Sequence, residues 1–388
     1  MIKIKNGKVI TDKIIDANVY IKDGKIFAVT TEELPFDEEI DAGGLYVSPG
    51  FVDTHCHGGG NHDFMDATAE GAKAALKAHM KHGTTTILPT TVADGVEETI
   101  AAIDSVLEAI KNDEDLPHVP GMHLEGPYFS VAQAGAQDPK NIVPPVKEDY
   151  TRIVETYGSF IKKYAFAPEL EGSEEFCRYI TSKGIIASAG HTDCTYDDMQ
   201  RIEKCGLTMV THLYSGMSTI VRKGGFRVLG AVESTYLMDN IYAEVIADGL
   251  HLPPELLKFI YKFKGPDKMC LITDSMRGAD MPEGMSKIGS LKKGQDCIIE
   301  DGIAKMPDRS CFAGSVATTD RLVRVFYKKA GVPLEDAVKM ASTTPAIAHG
   351  FEGIGAIKEG YDADLLFFDD DINIKKVIIK RNNDIKIY

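Results

Sequence analysis

The sequence contains no run of about 18 apolar residues, so no membrane-spanning helix is expected. Its start, Met1-Ile2-Lys3-Ile4-Lys5, alternates like a strand and lacks the apolar centre of a signal peptide. It has no CxxC pair. The seven cysteines (Cys56, Cys177, Cys194, Cys205, Cys270, Cys297, Cys311) are odd in number and scattered, which argues against a disulfide framework and suits a reducing, cytoplasmic setting. Positive charge is also short, with 43 Lys and Arg against 58 Asp and Glu. The resulting net charge of −15 argues against nucleic acid or an anionic membrane as the main partner, although a few local donors suffice to hold a small anionic ligand. Internal repeats and low-complexity segments are missing too.

What is present is ordinary globular material. With 388 residues, 44% of them hydrophobic, the chain can bury a large core, and one big domain with a smaller satellite is expected. Residues 3–9, 17–21 and 25–29 read as short strands with a turn at Asp23-Gly24, and residues 363–368 and 375–380 have the same texture. Between these ends, apolar runs alternate with helical stretches at 69–82, 96–111, 173–183 and 334–341. The two ends are expected to form one small β domain, residues 1–47 with 350–388, around a larger α/β domain, residues 48–349.

Within the larger unit the strand-like runs can be counted. They are 47–57, 84–91, 119–125, 163–168, 185–191, 208–212, 241–251 and 269–274, which is the number in a (β/α)8 TIM barrel. Polar residues close six of them: His55 with His57, Glu125, His191, His212, His251 and Asp274. Strand C-termini form the active face of such a barrel. An open doubly wound sheet would not bring the first and eighth strands together, so a site needing both favours closure.

The densest signal is Asp53-Thr54-His55-Cys56-His57 followed by Gly58-Gly59-Gly60. Side chains alternate along a strand, so Asp53, His55 and His57 are expected on one face and Cys56 on the other. Two imidazoles at a strand end can chelate one metal ion. With Glu125, His191, His212 and Asp274 they form a metal-ligating set that suits zinc first, and also iron, manganese or cobalt. An ion there makes water ionise near neutrality. Asp274 stands where a proton shuttle is needed, and a plain ligand role for it is compatible with that one. His62, His79, His82, His118 and His349 have no partner pattern and read as structural or surface residues; His123 is a candidate support for Glu125.

These motifs extend to Glu125-Gly126-Pro127, Gly135-Ala136-Gln137-Asp138-Pro139, Gly190-His191-Thr192, Thr211-His212-Leu213-Tyr214, Asp248-Gly249-Leu250-His251 and Ile272-Thr273-Asp274. Over nearly the whole chain the pattern resembles the N-acetylglucosamine-6-phosphate deacetylase family of the amidohydrolase superfamily. The resemblance implies a hydrolase of amino sugar metabolism with one or two divalent ions per chain. It implies Glu125, His191 and His212 as ligands of the principal metal, with His55 and His57 holding a second that Glu125 bridges. Asp274 would be general base and then acid, with metal-activated water as nucleophile, and His251 would bind sugar or oxyanion.

Two departures from the family stand out. Single-metal members carry a histidine near Gln137 and lack the HxH pair; HxH together with Gln137 points to two metals, with Gln137 as a substrate contact. After Tyr214 the usual asparagine and arginine-bearing stretch are replaced by Ser215-Gly216 and by Arg222-Lys223-Gly224-Gly225-Phe226-Arg227. Arg222 or Arg227, with Ser215 and Gly216, would then bind substrate, and the resemblance implies a homodimer. The expected reaction is removal of acetyl from N-acetylglucosamine 6-phosphate. The alternatives are a related amidohydrolase acting on another N-acetyl sugar or an N-acyl amino acid, and a non-catalytic sugar- or metal-binding protein.

Overall fold

The computed structural model describes residues 1–111 and 115–388. Among them, eight strands run parallel: β1 (Phe51–Cys56), β2 (Thr84–Pro89), β3 (Met122–Glu125), β4 (Ile161–Phe166), β5 (Ile186–Ala189), β6 (Leu207–Val210), β7 (Tyr242–Ile246) and β8 (Met269–Ile272). Strands β3 to β8 form one six-stranded sheet in chain order, and β1 pairs with β2. Isolated parallel bridges Thr86–His118 and Thr90–His123 link β2 to the β3 side, and Cys56–Ser275 links β1 to the residues after β8. All six residues of β1 and of β2 are buried, as expected for strands covered on both faces.

Helices fill the crossovers: α1 (Ala69–Met80), α2 (Val96–Ile110), α3 (Lys147–Tyr157), α4 (Ser173–Ser182), α5 (Tyr196–Glu203), α6 (Ala231–Leu237) and α7 (Pro254–Lys264). Local chemistry starts them where the sequence allows. Thr68 caps α1 by accepting from the Gly71 N–H, and Thr195 with Asp198 makes a reciprocal capping box on α5. The apolar stripe of α1, Ala72, Ala75, Leu76 and Met80, follows the helical three-to-four spacing and enters the main core. After β8 come α8 (Thr319–Lys328), α9 (Leu334–Ala341) and α10 (Thr343–Ala348).

The chain ends build two further sheets. Lys25–Thr30, Asn18–Lys22, Ile2–Lys5 and Glu38–Asp41 form one. Asp384–Ile387, Ile374–Arg381, Leu365–Phe368, Tyr46–Pro49, Lys8–Ile10 and Ile14–Asp16 form the other. Ile4, Val19 and Ile26 of the first pack with Val9, Val47, Leu365, Phe367 and Ile378 of the second in a separate apolar cluster. Alternation does the rest: Leu366 and Phe368, on the opposite face of their strand, join the main core.

Several expectations need correction. The single strand read over 47–57 is two, Tyr46–Pro49 in the terminal sheet and β1, so that sheet keeps Ser48 and Pro49 beyond residue 47. They meet at Gly50, where a Cβ would lie 2.0 Å from Thr85 Oγ1, a contact no other residue type avoids. The strand read over 3–9 breaks at Asn6-Gly7, and the one read over 241–251 stops at Ile246. Unforeseen elements are the three-stranded antiparallel sheet Gly284–Ile288, Gln295–Glu300, Ile303–Lys305 and the hairpin Val221–Lys223 with Phe226–Val228. No helix among the described residues is long and apolar enough to cross a membrane.

Candidate metal centre

The polar residues expected at strand ends converge. His55 lies in β1 and His57 just beyond it; Glu125 ends β3; His191, His212 and Asp274 each follow their strands by two residues. Backbone hydrogen bonds fasten the last strand to the first: the Asp274 N–H donates to the His55 carbonyl and the His57 N–H to the Ser275 carbonyl, both at 2.8 Å. His191, His212 and Asp274 have left-handed backbone, with φ of 45°, 34° and 47°. Such a conformation costs a non-glycine residue about 1–2 kcal/mol, and its concentration on three converging side chains marks a site whose geometry outweighs local preference.

Glu125 is the hub. Its Oε1 lies 2.9 Å from His212 Nε2, 3.3 Å from His191 Nε2 and 3.4 Å from His55 Nε2, while Oε2 lies 3.3 Å from His57 Nε2. Asp274 Oδ1 stands 3.1 Å from His57 Nε2 and 3.3 Å from His55 Nε2, and the two Nε2 atoms are 3.1 Å apart. Two compact triads result, His55/His57/Glu125 and Glu125/His191/His212, all buried and sharing Glu125.

The electrostatics show what such a cluster attracts. Burial alone would lower the His55 pKa, but the Glu125 and Asp274 carboxylates raise it to about 9, and His57 is likewise held well above its ordinary value. Burial pushes the carboxyls up, yet His55 and the neighbouring imidazoles hold Glu125 well below the usual range and Asp274 at about 2. The pocket thus draws positive charge to the point between its nitrogens and oxygens. A divalent cation meets that demand without protonating the imidazoles, and the nitrogen-and-carboxylate donor set fits one of borderline softness.

The candidate ligands are themselves held. His191 Nδ1 bonds the Gln133 carbonyl at 2.8 Å and His212 Nδ1 the Ser215 carbonyl at 3.1 Å, which puts the ring proton on Nδ1 and the Nε2 lone pair toward Glu125. Gln137 donates from Nε2 to Glu125 Oε2 at 2.7 Å and accepts the Ala93 N–H at 2.8 Å, so both ends of its amide are engaged by the protein. Above the cluster opens a cavity of about 190 Å³, walled by His57, Glu125, His191, His212 and Asp274 together with Gln137, Ser215, Gly216, His251, Cys311 and Phe312. His251 Nδ1 is held by Asp248 Oδ2 at 2.8 Å, and Phe312 meets its ring edge-on at 5.0 Å.

Arg222 and Arg227 are not part of this wall. They face each other in register across the exposed hairpin, and the Arg227 guanidinium donates to the nearby Gly225 carbonyl at 3.4 Å. Nor does Asp53 join the histidines as alternation predicted. It accepts from the Thr273 hydroxyl at 2.5 Å and groups with Cys56 and His79, where the β1–β2 register shifts. His79 Nε2 is committed to the Gly58 carbonyl at 2.9 Å, which steadies the turn after His57. His123 packs its ring edge-on against His55 at 4.5 Å, and neither of its ring nitrogens has a hydrogen-bond partner among the described residues. Residues to which sequence reasoning gave no role are Asp248, quoted only as part of a motif, Phe312, and the buried pair Glu244 and Lys163, where Lys163 holds the Glu244 pKa at about 2 against the opposing effect of burial. The available signal was Glu244, the one charge inside an otherwise apolar strand; Lys163, next to Lys162, gave none.

Residues 46–387 match the model of the amidohydrolase family. The chain is 33% identical, over 93% of its length and 91% of the other's, to an N-acetylglucosamine-6-phosphate deacetylase of Lysinibacillus sphaericus. It is 31% identical to an N-acetylgalactosamine-6-phosphate deacetylase of Shewanella sp. (strain ANA-3), covering 85% and 81%. Among solved structures, a mutant N-acetyl-D-glucosamine-6-phosphate deacetylase of Mycobacterium smegmatis in complex with N-acetyl-D-glucosamine-6-phosphate superposes with a TM-score of 0.88 at 27% identity, covering 99% of this chain and 98% of that one.

Proposed function

This chain belongs to the amidohydrolase family and is a hydrolytic enzyme, and on that premise we propose that it cleaves the acetamide of N-acetylglucosamine 6-phosphate to glucosamine 6-phosphate and acetate. The observation that carries the reading is the pair of triads sharing Glu125, with Asp274 in contact with both β1 histidines.

His55, His57 and Glu125 would hold one divalent ion, and Glu125, His191 and His212 a second. Ions so held supply Lewis acidity, polarising the acetamide carbonyl and easing ionisation of water. Zinc is our first assignment, with iron, manganese and cobalt as the other outcomes of metal analysis. Asp274 takes the proton from the attacking water as the new C–O bond forms. It then delivers that proton to the sugar nitrogen as the C–N bond breaks. His251, braced by Asp248, hydrogen-bonds the oxygen on which charge develops. Ser215 and Gly216 line the approach of the sugar, and Phe312 offers its ring an apolar wall.

We further read β1 to β8 as a closed (β/α)8 barrel, residues 50–349, with residues 1–49 and 350–388 as a β-sandwich beside it. The bridges from β1 and β2 to both edges of the six-stranded sheet support closure, and the apolar cluster common to the two terminal sheets supports the sandwich. Among the described residues no Lys or Arg lines the cavity. The exposed hairpin with Arg222 and Arg227 is therefore assigned to the phosphate of a substrate bound by a second copy, in a homodimer. Seven unpaired thiols support a cytoplasmic setting. The cation-free wall also favours a second reading, an N-acetyl sugar without phosphate.

Asp274→Asn tests the mechanism. The variant should retain its metal and lose turnover by at least about a thousandfold, combining lost base and lost acid. Near-wild-type rates would remove Asp274 from the proton path.

A further inference from the structure

Two ionisable side chains lie fully buried among the strands, Glu244 in β7 and Lys163 in β4. The Lys163 ammonium donates to Glu244 Oε1 and, at 2.9 Å, to the Thr54 carbonyl. Thr54 Oγ1 donates to the same carboxylate oxygen at 2.9 Å. Glu244 Oε1 is thus well supplied, and through Thr54 the carboxylate is tied to the strand that carries His55.

The other oxygen is not supplied. Glu244 Oε2 is buried without a hydrogen-bond partner among the described residues, and so is His55 Nδ1. These two atoms face each other at 3.7 Å. On the opposite edge of the ring, His55 Nε2 faces Glu125 and Asp274. An imidazole that presents Nε2 as a lone-pair ligand carries its proton on Nδ1, and that proton needs an acceptor. His123, the neighbouring ring, meets His55 edge-on at 4.5 Å, and neither of its ring nitrogens has a hydrogen-bond partner among the described residues. A buried ion pair is also an expensive way to join two strands, since apolar side chains of the same volume do it at least as well.

We infer that Glu244, locked by Lys163 and Thr54, is a positioning residue that fixes the tautomer and orientation of His55 as a metal ligand. The inference rests on the two-metal reading above. Lys163 and Thr54 hold Oε1, which leaves Oε2 for His55. The pair is thereby an extension of the metal centre and not a tie between β4 and β7 alone.

Zn2+ titration with a competing chelator tests this in wild type, Glu244→Gln and the double variant Lys163→Met/Glu244→Gln. The double variant removes both charges, so it folds even where the single one leaves an unpaired buried ammonium. Loss of a residue that orients a ligand weakens metal binding about 10–100-fold. That weakening is expected for the site built on His55 and His57 in both variants, with the Glu125/His191/His212 site unchanged and the double variant melting near wild type. If the double variant regains wild-type affinity along with its stability, the pair is only structural and the inference fails. If both variants bind two Zn2+ as tightly as wild type, it fails as well. A wild-type protein with no Zn2+ site sensitive to His57→Ala overturns the two-metal reading, and this inference with it.

Discussion

Replacing Gln137 by alanine distinguishes a side chain that holds Glu125 from one that only touches substrate. The amide spans two protein groups, accepting the Ala93 N–H at 2.8 Å and donating to Glu125 Oε2 at 2.7 Å. Leaving the buried Ala93 N–H without an acceptor costs about 1–3 kcal/mol, and removing a donor from an ionised carboxylate costs about 1.5–3 kcal/mol. Gln137 borders the cavity, however, and water entering the vacated space recovers part of both. The expected net loss is about 2–4 kcal/mol, read by urea unfolding of the metal-loaded protein. Acetate release should show kcat down about tenfold or more with KM little changed, because the Glu125 carboxylate loses its orientation before substrate arrives. Gln137→Glu should be worse, since it sets two carboxylates at hydrogen-bond distance. Wild-type stability and kcat with a raised KM would refute this reasoning and make Gln137 a substrate contact alone.

His82 bridges Asp280 and Asp320, each at 3.3 Å, and the Asp320 hydrogen bond raises its pKa above the ordinary value despite partial burial. A raised folded pKa gives stability that is full below the unfolded value, about 6.5, and fades as pH climbs through the folded one. The gap in melting temperature between wild type and His82→Gln should therefore be widest near about pH 6 and narrow as pH rises; a gap that widens with pH would contradict it. Asp248→Asn weakens the 2.8 Å grip on His251, a bond to a charged acceptor worth about 1.5–3 kcal/mol, and should lower kcat/KM about ten- to a hundredfold while leaving metal content unchanged. Full activity in that variant would detach His251 from the reaction.

Much of the site was legible because its residues obey simple periodicities. An HxH pair in a buried strand must project both rings to one side, and polar residues at matching strand ends must meet if the strands are parallel neighbours. Helices α1, α2, α4 and α9 were readable from their apolar spacing for the same reason. Asp53 was misjudged, because a register shift between β1 and β2 breaks the alternation that placed it with His55 and His57. Glu244 and Lys163 were passed over, because Glu244 reads as one charge in an apolar strand and Lys163 as half of the Lys162-Lys163 pair near a strand start, and only the approach of β4 and β7 around Thr54 pairs them. The boundary at Gly50 was hidden as well: its cause is the Thr85 side chain 35 positions downstream. Arg222 and Arg227 showed charge in the sequence, but exposure on a hairpin outside the cavity is a tertiary fact.

Acetate release tests the central claim most directly. Metal-loaded protein is to be assayed on N-acetylglucosamine 6-phosphate, on its galactosamine epimer and on unphosphorylated N-acetylglucosamine, before and after chelation and after metal is restored. Stoichiometric acetate from N-acetylglucosamine 6-phosphate, abolished by chelation and regained with metal, is the predicted result. No acetate from any of the three sugars, in a folded protein that carries its metal, would contradict it.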